Sequence, residues 1–66
     1  MTDRSFFRLE VVKARTGLSR SEIYRRIRDG AFPKAIILGR STKAWDSFEV
    51  SAWLDRMAAT APREEA

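Results

Sequence analysis

The chain of 66 residues has no cysteine and no histidine. Their absence excludes a disulfide framework and the usual zinc sites, two common supports of domains this small. It also removes the commonest general base and the commonest thiol nucleophile. Glycine is sparse: Gly17, Gly30 and Gly39 are all there is, each at an expected element boundary and none in a phosphate-cradling loop. No apolar run approaches the roughly 18 residues needed to cross a membrane. Met1-Thr2-Asp3-Arg4 lacks the charged-then-apolar order of a signal peptide. These absences point to a soluble, cytoplasmic protein of one small domain, which buries only about 60% of its unfolded surface and so has a thin core.

What the chain does have is positive charge, unevenly placed. Arg4 to Lys43 holds eleven basic residues against Glu10, Glu22 and Asp29, a net of +8. Ala44 to Ala66 holds Arg56 and Arg63 against five acidic residues, a net of −3. Concentrated positive charge is the footprint of a polyanion partner, although solvated arginines are also common on small soluble domains.

Glu10 to Arg15 reads as a short first helix, with Leu9, Val12 and Thr16 spaced i, i+3, i+7 and Val11 beside them. Before it, Phe6-Phe7-Arg8-Leu9 forms a strand or leads into that helix, with Phe6, Phe7, Val11 and Val12 expected in the core. Thr16-Gly17 ends the helix. Ser19 and Glu22 have the spacing of a capping box that opens a second helix, and Gly30 stops it. On that helix Ile23 and Ile27 share a stripe with Tyr24 at its edge, while Ser21, Arg25 and Arg28 point the other way. Arg20 sits in the first turn, and Arg26 is expected to be solvated or paired with Glu22. A helix of under three turns needs packing along its isoleucine stripe to persist in water.

Pro33 then forbids helix and biases Phe32 to an extended conformation. Ala35 to Leu38, the turn Gly39 to Thr42, and Lys43 to Trp45 read as a β-hairpin. Asp46 and Glu49 repeat the capping-box spacing and open a third helix to about Ala59. That helix places Phe48, Val50, Trp53, Leu54 and Met57 toward the core and Ser51, Asp55 and Arg56 outward. Both tryptophans fall in apolar patterns and belong in the core. The expected fold is mainly α with a small β-hairpin: a winged helix-turn-helix of three helices plus a two- or three-stranded wing. Its domain spans 6–59, between a flexible N-terminus at 1–5 and a disordered tail at 60–66.

A short helix after a tight turn, with a basic outer face, suits the major groove of duplex DNA. The candidate DNA-binding residues are Ser19, Arg20, Ser21, Tyr24, Arg25 and Arg28 on the second helix, and Arg40, Ser41 and Lys43 on the wing. Arginine pairs bidentately with guanine or clamps phosphate, and hydroxyls suit phosphate. The wing would lie on the backbone or in the minor groove. For each residue the plain alternative is a solvated surface group, and for Tyr24 a place in the core. Catalysis has little support, because Glu22, Asp46 and Glu49 are accounted for as caps. No catalytic, metal or cofactor residue is assigned, and the protein is expected not to be an enzyme.

The run from Arg8-Leu9 through Thr16-Gly17-Leu18-Ser19-Arg20-Ser21, then Ile23-Tyr24-Arg25 and Gly30-x-Phe32-Pro33, resembles the AlpA family of phage-related transcriptional regulators. Leu38-Gly39-Arg40-Ser41, Trp45 and Glu49-Val50-x-Ala52-Trp53-Leu54 continue the likeness, which covers about Phe7 to Met57. The resemblance implies a winged helix-turn-helix related to MerR-type and excisionase DNA-binding domains. It implies a transcriptional regulator, or a factor that bends DNA during excision of a prophage or mobile element. By that likeness Ser19 to Arg28 is the recognition helix and Arg40 to Lys43 the wing tip. The sequence departs from the family in two places. Glu22 stands where a threonine or serine is frequent, and the wing turn lacks a second glycine.

The expected partner is double-stranded DNA, with a phage or mobile-element integrase and cooperative self-association on DNA as further candidates. Localisation would be cytoplasmic and nucleoid-associated. The alternative from another class is a protein–protein adaptor of a recombinase or polymerase whose basic face is incidental. An RNA binder is the third, disfavoured because no exposed aromatic platform is evident.

Overall fold

A computed structural model describes residues 3–65; the N-terminal Met1 and Thr2 and the terminal Ala66 lie outside the described residues. The elements run β1 (Phe6–Phe7), α1 (Leu9–Thr16), α2 (Arg20–Arg28), β2 (Ile36–Ile37), β3 (Lys43–Asp46) and α3 (Ser47–Thr60). This is three helices with a small antiparallel sheet in the order β1-β3-β2, a winged helix-turn-helix of the expected class. Phe6 pairs with Asp46 and Phe7 with Trp45, so the N-terminal strand is real and makes the wing three-stranded.

Local chemistry accounts for the helix-turn-helix. Gly17, at φ 74°, ends α1 in the left-handed conformation and donates its N–H to Lys13 O at 2.8 Å. Thr16 braces the turn, its hydroxyl donating to Val12 O at 2.8 Å and accepting from Leu18 N–H at 3.2 Å. The Ser19–Glu22 capping box is fully formed. At the other end Gly30, at φ 76°, donates to Ile27 O and Ala31 N–H donates to Arg26 O. That pair of bonds is a Schellman stop.

The core is Val12, Ile23, Phe32, Trp45, Val50 and Trp53, drawn from every helix and from β3. Both indoles are buried and both N–H groups are satisfied by the loop after α2: Trp45 Nε1 donates to Pro33 O at 2.9 Å and Trp53 Nε1 to Ala31 O at 2.8 Å. Phe32 meets Trp53 edge-on with centroids 4.9 Å apart. That loop is thereby pinned to β3 and α3. The wing turn closes through Leu38 N–H to Thr42 O at 2.8 Å. None of its residues has a positive φ, so a second glycine has no conformational task there.

The structure corrects several expectations. Phe48 is exposed rather than in the core, as are Phe6 and Val11. Phe48 instead carries the Arg4 guanidinium 4.8 Å above its ring. Asp46 caps α3 by accepting from Phe48 N–H, not in a reciprocal box with Glu49, which is exposed. Arg26 is half-buried over the Trp53 ring at 6.0 Å, and the partner of Glu22 is Arg25 at 4.0 Å. Of the N-terminus expected to be flexible at 1–5, residues 1–2 lie outside the described residues; of the rest, Arg4 Nε pairs with Asp46, and Ser5 exchanges bonds with Ser47.

Candidate nucleic-acid interface

At about 100° per residue, Arg20, Tyr24, Arg28, Ser21 and Arg25 occupy one continuous arc of roughly 140° on α2. Glu22 lies just beyond it, and Arg26, Ile23 and Ile27 fill the opposite side, which faces the core. Four of the five arc residues are exposed and Tyr24 is half-buried. Tyr24 leans edge-on against Trp45, centroids 6.2 Å apart, and the Arg20 guanidinium lies 5.5 Å from its ring centroid. Tyr24 thus rests its ring on the core without being fully buried.

Arg20 and Tyr24 also border a cleft of about 460 Å³ whose far wall is the wing, through Ser41 and Lys43. Trp45 forms its floor, and Arg8, Leu9 and Glu10 close it at the start of α1. Three cations, Arg8, Arg20 and Lys43, thus converge from three separate elements. The single acid there, Glu10, is turned toward Lys13 at 3.6 Å. Arg40 stands exposed at the wing tip. The cleft joins four of the nine residues named from sequence: Arg20, Tyr24, Ser41 and Lys43. Ser21, Arg25 and Arg28 lie on the outer part of the arc.

Ser19 is different. Its hydroxyl accepts from Glu22 N–H and donates to Glu22 Oε1, both at 3.2 Å, so it is engaged in the cap. Glu22 Oε1 also accepts from Ser19 N–H at 3.2 Å. These two Ser19 bonds, backbone first, hold the Glu22 carboxyl below its ordinary pKa, with Arg25 and Arg26 adding to the shift. An acid at this position is thereby directed into the cap and toward arginine. Arg8 lines the cleft although the sequence does not single it out. It is the N-cap residue of α1 but makes no side-chain cap bond, and only the tertiary fold brings it beside Arg20 and Lys43.

Among the described residues no cluster of three His, Cys, Asp or Glu side chains is placed to hold a metal, and no helix is long and apolar enough to cross a membrane. The profile of the family described as "Prophage CP4-57 regulatory protein (AlpA)" matches residues 5–58. The chain is also 44% identical over 54 residues to the uncharacterized protein ORF88 of Enterobacteria phage P4. That match covers 82% of this chain and 61% of the phage protein, so the chain spans under two thirds of that relative's length. A match running from the residue before β1 to within two residues of the end of α3 takes in the whole fold and the cleft, and the chain belongs to the AlpA family of prophage regulatory proteins.

Proposed function

We propose that the protein is a sequence-specific DNA-binding regulator with no enzymatic activity and no cofactor. Residues 19–29, with α2 at their centre, would enter the major groove, and the wing at 39–43 would lie on the backbone or in the minor groove. The observation that carries this reading is the convergence of Arg8, Arg20 and Lys43 on one cleft, continuous with the basic arc of α2. Arg20, Arg25 and Arg28 are the residues for base edges or phosphate, with Ser21 and Tyr24 supplying hydroxyls. Arg40, Ser41 and Lys43 supply the backbone contacts of the wing. Ser19 contributes by capping the start of that helix, where its hydroxyl engages the Glu22 N–H.

Within this reading the biological outcome is control of transcription or of excision of a mobile element, at the nucleoid, with an integrase as a candidate partner. One module of this size buries about 600–1,000 Å² on DNA, so firm binding calls for several copies on repeated sites. The test is selection from random duplex DNA by the purified protein, repeated with Arg20→Ala and Arg25→Ala. A shared motif that relaxes at particular base pairs in the variants is the expected result. Log affinity should also fall by about 0.9 per phosphate contact for each unit of log salt. Weak, salt-sensitive binding with no enriched motif would favour the adaptor reading.

A further inference from the structure

Ile37 is the most solvent-open large hydrophobic side chain among the described residues, 66% exposed, ahead of its neighbour Leu38 at 48%. It stands in β2 directly opposite Lys43 of β3. Residues opposite one another in an antiparallel ladder share a face of the sheet. Ile37 therefore looks out on the side where Lys43 borders the cleft with Arg20 and Tyr24. Ile36 and Leu38 alternate to the other face. β-Branching on a strand holds the Ile37 side chain stiffly in place.

The surroundings narrow what covers it. Lys43 is its cross-strand partner, Arg40 stands at the turn and Lys34 precedes the strand, all three exposed. A second copy of this edge would bring like charges together. A polyanion that presents an apolar group satisfies both the cations and the isoleucine. On the edges of duplex DNA that group is the thymine C5-methyl, which lies in the major groove, the groove assigned above to α2; of the two placements of the wing, Ile37 requires the one on the backbone that flanks this groove. Resting on that DNA-binding reading, we propose that Ile37 is a specificity residue that packs on a thymine methyl and selects thymine over cytosine at one position of the site.

The experiment uses the duplex enriched in the selection above, with each thymine replaced in turn by deoxyuridine, which deletes only the methyl. Affinities are measured by fluorescence anisotropy for the wild type, Ile37→Ala and Ile37→Val. At one position deoxyuridine should weaken the wild type about fourfold, the equivalent of one buried methyl group. Ile37→Ala should bind the parent duplex more weakly and be indifferent to deoxyuridine at that position, and Ile37→Val should recover part of the discrimination. If the duplex is bound but no deoxyuridine matters, or the penalty persists in Ile37→Ala, the proposal is overturned and the DNA-binding reading stands. If the selection enriches no duplex, both fall.

Discussion

Two helices of this domain begin with the same sequence signal and are capped in different ways. Ser19…Glu22 and Asp46…Glu49 share the spacing of a capping box, yet only the first closes. At α2 the orphan donors are met by side chains three residues apart. At α3 one is met locally and one from elsewhere in the chain: Phe48 N–H donates to Asp46 Oδ1 at 2.9 Å, and Ser47 N–H to Ser5 O at 2.9 Å. Asp46 is in turn held by Arg4 Nε. The last residue of β3 is the N-cap of α3, so the strand partner takes over part of the capping and Glu49 is left without that role. The start of the helix that carries the basic arc is thus built from local parts, while the start of α3 draws on tertiary contacts as well.

Removing each cap separates the two cases. Asp46→Ala deletes the Phe48 acceptor and leaves Arg4 without its partner. It should cost about 1–2 kcal/mol, the upper half of the range for N-caps, with Tm falling by about 4–8 °C per kcal/mol for a domain of this size. Ser19→Ala breaks only the local box and should cost about 1 kcal/mol. Thermal unfolding followed by far-ultraviolet circular dichroism checks both. The comparison fails if Ser19→Ala proves the more damaging.

The same division explains what could be read in advance. The turn, the cap and the stop of α2 were legible because every partner lies within four or five residues in sequence. The hairpin and third helix were legible as elements, from Pro33, the glycine turn and the apolar spacing. Arg26 departs from its expected place because position outweighs residue type: it lies three residues from Ile23, on the flank of the core stripe, and packs over Trp53 from another helix. Apolarity alone points Phe48 to the core, whereas Arg4 lies over its ring and the residue remains exposed. The cleft itself was only half visible. Its α2 and wing walls follow from the motif, but Arg8 joins them through the packing of α1 against β3, which no local spacing encodes.

The smallest expected effects bear on the two glutamates. Glu22 is held below its ordinary value of 4.5 by the Ser19 bonds and, to a lesser degree, by Arg25 and Arg26. A carboxyl with a depressed folded-state pKa stabilises the fold in full above its unfolded value. That stabilisation is lost as pH falls through the folded value. Tm measured from pH 7 to pH 3 should therefore drop in acid partly through Glu22, and Glu22→Gln should flatten that part of the curve while lowering Tm at neutral pH. Glu49→Ala, at the same place in the other motif, should change stability at neutral pH by less than about 0.5 kcal/mol, as for an ordinary surface substitution. Equal losses from Glu22→Ala and Glu49→Ala at neutral pH would mean that α3 is capped by its own box after all, and that the strand contacts at Ser5 and Arg4 contribute little to its start.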